Sequence, residues 1–591
     1  MKRIVYGFLT VVVLLSSCRE NEPEIPQIPM NSLDGCFRAY LVENFDKNKD
    51  GIISIEEAEL VKEIICPNRS ILSLEGIHYF SNLEKLDCSR NDLNTIDISN
   101  NKSLQFLNCS KSRIRELDIS KNLALELLIC MGDYNSKLQT LKLSPDSKLN
   151  FLDITDHVMT SLDFVGNQYL KEIHCNGENL VTLDVQNSVL EFIDCTGPKL
   201  TSINADGCTF LKKLIGCGNI DLKDCSSLEE LYIYGFGRLD ISHSPLLKTL
   251  HIRGAMLVDL DLTKNNALKD LILERVSIMD KLHLNNNSQL VNVEMKDSYF
   301  NNDLDLSNCK SLKSFSLDRS PNVTIYYPKT VNLSGCASLE NVLITNSTSG
   351  GSVEYLNLTG CTALSKLTCI NNSLTELNLT ECRKLSDLTC YGNNLTKLDI
   401  KDCPDLSVLW CFSNSLSDLY LSECKKLTDL HCANNKLTSL KTNSQYLSSI
   451  DCRYNAALRE IDVHNHIGLK KLDCRESKIT MLNLEGCSSL EELNCDNNTL
   501  LESLVLNDCK SLNLLSCFAC SLTKLDVSKC SELTYLNCVA NRLQPSLDVS
   551  KCTKLKEVIC YSNPNLTEII INRNHSFSLQ KDPHTQIVVV N

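Results

Sequence analysis

Residues 364–437 read LSKLTCINNSLTELNLTEC (364–382), LSDLTCYGNNLTKLDIKDC (385–403), LSVLWCFSNSLSDLYLSEC (406–424) and LTDLHCANNKL (427–437). Leu364, Leu385, Leu406 and Leu427 recur every 21 residues. Two cysteine series keep the same step: Cys369, Cys390, Cys411 and Cys432, and Cys361, Cys382, Cys403 and Cys424. Self-similarity at this period means stacked turns, none of which can bury its apolar face alone. Outward from this stretch, 23 turns open between Leu83 and Leu555, with a mean step of about 21.5 residues. Such a step holds one short strand and a tight extended or 3-10 return, not a full helix.

L-x-x-L-x-C with an asparagine three residues further on resembles the leucine-rich repeat. Cysteine at the third strand position closely resembles the cysteine-ladder internalins, over about residues 83–566. That resemblance implies recognition at a cell surface without catalysis, and it carries over no ligand. The expected architecture is an α/β solenoid, β-rich: a right-handed leucine-rich-repeat arc. At about 4.8 Å per turn, the arc is on the order of 110 Å long.

The 591 residues carry a net charge of -14 and a pI near 5.4, which argues against nucleic acid as a partner. Of the 32 cysteines, 27 fall on the repeat, 15 at L-x-C and 12 at C-x-x-L. Stacked at one position, they behave as small buried hydrophobes, and reduced thiols are the expected state. The spacing of neighbouring turns alone does not exclude ladder disulfides.

Lys2 and Arg3 precede an apolar run that ends in Leu15-Ser16-Ser17-Cys18. A basic start, a short apolar core and a small-residue site make a secretory signal, too short to span a membrane. Leu-Ser-Ser-Cys resembles a bacterial lipobox, which implies cleavage before Cys18 and a lipid on Cys18. The acidic, proline-bearing segment that follows reads as a tether. It resembles surface-export signals of Gram-negative lipoproteins, so the expected location is the bacterial outer membrane, lipid-anchored at the cell surface. The expected domains are a signal peptide (1–17), a tether (18–30), a cap (31–67), the repeats (68–566, irregular over 211–351) and a C-terminal cap (567–591).

Residues 46–57 read DKNKDGIISIEE. Asp46, Asn48, Asp50, Ile52 (through its carbonyl), Ser54 (through water) and Glu57 stand at the ligand positions of an EF-hand calcium loop, with Gly51 at the sharp turn. Alternate side chains of a tight loop point inward and supply hard oxygen ligands, so calcium is the expected cofactor. Apolar periodicity predicts flanking helices over 33–45 and 55–65. One hand alone makes a poor sensor, and the expected role is a cap over the first open turn. The internalins have a cap of this kind. Cys36 and Cys66 flank the hand, and a disulfide between them is left open.

In L-x-x-L-x-C, the strand period of two sends positions three, five and seven outward. Tyr391, Trp410, Phe412 and His431 therefore share one outer face on three adjacent turns, with Arg453 and Arg475 just beyond. Exposed aromatics beside arginine are typical of binding hot spots. Tyr232, Tyr234, His251 and Arg253 form a second outward group in the irregular middle, where insertions fall in loops. No nucleophile elbow, zinc-protease motif or phosphate-binding loop occurs, and His464-Asn465-His466 lies on a return segment without metal-ligand company. The expected function is that of a monomeric, non-enzymatic adhesion protein binding a protein or glycan. The alternative is a scaffold subunit of an envelope complex, gripped through its calcium cap.

Overall fold

Leucine at positions one and four and a small residue at position six give each turn one inward stripe. In the turn that opens at Leu406, Leu406, Leu409 and Cys411 are all fully buried. Positions three and five, Val408 and Trp410, are half-buried on the opposite face. The computed structural model describes residues 26–164, 167–235, 239–284, 287–320, 328–346, 352–574 and 576–590. They fall into two compact units that divide after Leu180.

The first unit opens with a helix, Gly35–Phe45 (α1), capped by Asp34, whose carboxylate accepts from the Cys36 and Phe37 N–H groups. A short helix, Ile55–Glu59 (α2), follows. Six front strands then pair in parallel: Glu63–Ile65, Lys85–Asp87, Phe106–Asn108, Leu127–Ile129, Phe151–Asp153 and Glu172–His174. In the second unit, nineteen front strands run in parallel from Phe192–Cys195 to Ser578–Gln580. Short parallel strands line the return side, such as Ser546–Asp548, Glu568–Asn572 and Gln586–Val590. The molecule is a leucine-rich-repeat β-solenoid with turns of about 21 residues and few helices.

The ladder runs one turn further at each end than the leucines suggest. Glu63–Ile65 pairs with Lys85–Asp87, so the first turn is Val61-Lys62-Glu63-Ile64-Ile65-Cys66, with Val and Ile in the leucine places. The second helix therefore ends at Glu59 instead of continuing to Ile65, because this segment is drawn into the ladder. Cys66 is a ladder residue, fully buried, with its N–H on the Asp87 carbonyl at 2.8 Å. Cys36 lies exposed on α1, and both are free thiols. Every described cysteine is free, and all but Cys36 are buried.

Asparagine at position nine closes the corner of most regular turns. Asn435 donates to the Cys411 and Cys432 carbonyls at 3.0 and 3.1 Å and accepts from the Leu416 N–H at 3.0 Å. Asn393, Asn414, Asn455, Asn541 and Asn563 repeat this pattern. His157 fills the same slot in the first unit. It takes the Leu138 N–H on Nδ1 at 3.1 Å, so its Nε2–H faces the Cys130 carbonyl.

The C-x-x-L cysteines form a second ladder with a different chemistry. Seven of these twelve thiols donate to carbonyls of the preceding turn, among them Cys208 to Val185 at 3.0 Å, Cys225 to Ala205 at 3.1 Å and Cys361 to Leu333 at 3.2 Å. Asn101, Asn122, Asn265 and Asn287 do the same work where cysteine is absent. Their Oδ1 atoms have no hydrogen-bond partner among the described residues. The slot needs only a donor, so a thiol suffices. Burial pushes these thiols up, Cys225 and Cys361 to about 12, which keeps the proton on sulfur.

Candidate functional site

The loop over residues 46–57 is shaped by its own oxygens. Asp46 accepts from the Lys49 and Gly51 N–H groups at 2.6 and 2.8 Å. Asn48 accepts from Asp50 N–H at 3.0 Å, and Asp50 from Ile52 N–H at 2.8 Å. Gly51 has φ +83°, the left-handed conformation that this turn requires. Ser54 caps α2 in a reciprocal box with Glu57. Glu57 is buried, accepting from Lys47 N–H at 2.9 Å and from Ser54 N–H at 3.0 Å. Burial pushes its carboxyl up, and these hydrogen bonds outweigh that and hold it below the usual range.

A lone loop of this kind leaves a strand edge at Ile53. Here residues 26–28 fill it: Ile28 N–H donates to the Ile53 carbonyl at 3.0 Å and Ile55 N–H to the Pro26 carbonyl at 2.8 Å. Helix α1 also docks on the ladder, because Ile65 N–H donates to the Tyr40 hydroxyl at 2.9 Å. The hard oxygen donors fit calcium chemistry. Among the described residues, however, no group of three or more His, Cys, Asp or Glu gathers closely enough to hold a metal. Glu57 would have to exchange bonds to Lys47 and Ser54 for a cation.

The second unit presents the aromatic residues outward on consecutive strands. Register pairs Thr389 with Trp410 and Trp410 with His431. The rings are organised into two stacks. Tyr391 and Phe412 lie face to face, with centroids 4.1 Å apart and planes 11° apart. Trp410 and His431 stack at 5.2 Å. The indole N–H of Trp410 donates to Asp429 at 2.9 Å, and His431 Nε2 lies 3.4 Å from the same carboxylate.

Arg453 and Arg475 are engaged beside the rings. Arg453 lies 3.3 Å from Asp451 and 3.8 Å from Asp473, and Arg475 pairs with Asp473 at 2.9 Å. Burial raises the Asp473 carboxyl above its ordinary value, against the opposing pull of Arg475. D-C-R in two successive turns carried this signal, since residues two apart in a strand share a face.

The second outward group also comes together. Tyr232 and Tyr234 lie 5.9 and 6.4 Å from the His251 ring, and Lys213 Nζ sits 5.0 Å over Tyr232. Arg253 is 3.4 Å from Glu274. Cys18, the expected lipidation site, lies outside the described residues, as do residues 1–17. Among the described residues, no helix is long and apolar enough to cross a membrane.

Comparison with known proteins finds solved structures of related architecture. The functional domain of InlJ from Listeria monocytogenes, which includes a cysteine ladder, is 21% identical; the match covers 91% of this chain and 80% of that one, with a TM-score of 0.32. YopM from Yersinia enterocolitica is 17% identical over 92% and 94% of the two chains, with a TM-score of 0.45. A leucine-rich-repeat protein from Leptospira interrogans is 15% identical over 90% and 97%, with a TM-score of 0.27. No family model and no curated protein matches the chain. The solenoid class follows from the strand register of this chain itself.

Proposed function

We propose that the chain is a recognition protein of a bacterial outer-membrane surface, anchored by a lipid on Cys18, that binds a protein or glycan through the front face of its second unit. The observation that carries this reading is the aromatic cluster. Tyr391, Trp410, Phe412 and His431 are large, half-buried side chains held by stacking on strands whose leucines and cysteines already complete the core. Apolar rings kept outward contribute little to the core and much to a contact. Calcium in the 46–57 loop would brace the cap through Asp46, Asn48, Asp50, Ile52, Ser54 and Glu57.

Two experiments test the reading. Purified full-length protein is screened against glycan and surface-protein arrays, and each hit is repeated with Trp410→Ala combined with Phe412→Ala. The double variant is expected to lose at least about tenfold in affinity, the scale of one hot-spot residue. Unchanged affinity removes these residues from the site. Calcium titration followed by calorimetry is expected to show one site that Asp46→Ala abolishes; no heat at millimolar calcium would mark the loop as metal-free.

A further inference from the structure

A second apolar patch lies on the same front face, further along the second unit. Leu514, Phe518, Tyr535, Ile559 and Tyr561 stand at positions three, five and seven of three consecutive turns. Register sets Leu514 beside Tyr535, and Asn537 beside Ile559. Leu514 and Tyr561 are 37% and 43% exposed, on a face where solvated strands carry polar residues.

Between the two patches runs a charged belt of paired acids and bases, in which the Arg475 Nε alone of the arginine nitrogens is buried without a partner among the described residues. Arg453 and Arg475 are held by Asp451 and Asp473. Asp496 accepts from the Ser516 hydroxyl and the Phe518 N–H, each at 2.7 Å. A ligand crossing this belt needs no strong counter-charge. From the strand of Trp410 to that of Tyr535 there are six steps in the ladder. At about 4.8 Å per step, the patches lie about 29 Å apart, the reach of about nine residues of extended chain. Positions three to seven span about 13 Å, room for a single extended chain and its side chains.

The first patch also bears on ligand chemistry. Sugar recognition draws on open ring faces and free donors. Here Tyr391 and Phe412 cover one face of each other, Trp410 covers His431, and the indole N–H is committed to Asp429. What remains outward is half-buried ring with one face already taken, beside the aliphatic Val408.

We infer that the ligand is an extended polypeptide segment with apolar side chains at two places about nine residues apart, one on the Trp410 cluster and one on the Phe518–Tyr535 patch. This rests on the reading of the Trp410 cluster as a binding surface. The test uses a phage-displayed library of linear random peptides of about 16 residues, longer than the span above, selected on the full chain. A glycan array is run beside it. Trp410 is the only tryptophan, so its emission reports contact at the first patch. Enriched peptides are expected to carry apolar residues at that separation and to shift Trp410 emission. They are expected to bind at least about tenfold more weakly to Phe518→Ala combined with Tyr535→Ala. Tyr561→Ser, at an exposed side chain, gives the same test with little demand on folding. Peptides that shift Trp410 emission but bind both variants unchanged overturn the two-patch inference and leave the surface reading standing. A glycan that shifts Trp410 emission overturns the polypeptide assignment. If neither peptides nor glycans reach Trp410, the surface reading falls as well.

Discussion

The turns from Leu364 to Cys560 and those from Lys213 to Thr345 belong to one ladder and solve its corner differently. In the regular run, front strands such as Asp387–Thr389, Val408–Trp410 and Asp429–His431 are three residues long. In the irregular run, strands such as Glu230–Tyr234, Thr249–Arg253 and Asp270–Glu274 are five. The change follows from two positions. Cysteine at position six gives way to Ile233, Ile252, Leu273 and Met295, and asparagine at position nine gives way to Ala255, Val276 and Ser298. At Ile233 and Ile252, with no asparagine on the position-six carbonyl, backbone pairing continues and the corner becomes strand; Asn341–Thr345 and Lys366–Ile370, where the two runs meet, keep five residues although Asn372 and Asn393 bond the Ile344 and Cys369 carbonyls. Met256–Leu257, Ser277–Ile278 and Tyr299–Phe300 pair in parallel in the irregular run, over buried Ala255 and Val276. One run is thus cornered by asparagine hydrogen bonds and the other mainly by apolar packing, with the Ser298 hydroxyl on the Leu273 carbonyl at 3.1 Å as its one polar corner among the positions named.

The sharpest way to break this contrast is to remove each corner. Asn435→Ala takes away two donors and one acceptor at buried backbone groups and is expected to cost about 3 kcal/mol or more. Val276→Ala, in the irregular run, loses two methyl groups and is expected to cost about 2 kcal/mol. Urea midpoints compare them. A larger loss at Val276 would show that the asparagines decorate the corner without holding it.

A smaller effect separates two cysteines, one from each column. Cys390 is fully buried and donates to no acceptor among the described residues, whereas Cys361 donates to the Leu333 carbonyl. Cys390→Ser would bury an unpartnered hydroxyl and is expected to cost about 1–3 kcal/mol. Cys361→Ser keeps its donor and is expected to cost less than about 1 kcal/mol. Equal losses would erase the distinction.

The smallest expected effect lies in the cap, outside both runs. The Glu57 carboxyl is held below its ordinary value in the folded state. Its stabilising bonds are present above the unfolded value and are lost as the pH falls through the folded one. The urea midpoint of Glu57→Gln is expected to vary less than wild type over that acid window. Identical profiles would remove Glu57 as a brace of the loop.

Much of the fold was legible because Leu, Leu and Cys at fixed spacing leave one inward stripe. The two terminal turns were not. Val61 and Ile64 replace leucine in the first, and the last is marked only by Leu579 within Ser578–Gln580. The outward rings followed from a period of two, but their stacking is set by side-chain rotation, which the spacing does not encode. The second patch was hidden because its apolar residues sit at different positions in successive turns. The thiol ladder was hidden because a buried cysteine reads as apolar until its acceptor is seen.

One turn divides its labour, with position nine holding the scaffold and positions five and seven left for recognition. Asn414 and Trp410 belong to the same turn. Asn414 donates to the Cys390 and Cys411 carbonyls, each at 3.0 Å, while Trp410 stacks on the surface. Urea unfolding followed by circular dichroism tests this most directly. Asn414→Ala is expected to lower the midpoint at least about threefold more than Trp410→Ala, whose stacking contributes only about 1 kcal/mol. An equal or larger loss at Trp410 would make the rings part of the scaffold and contradict the division.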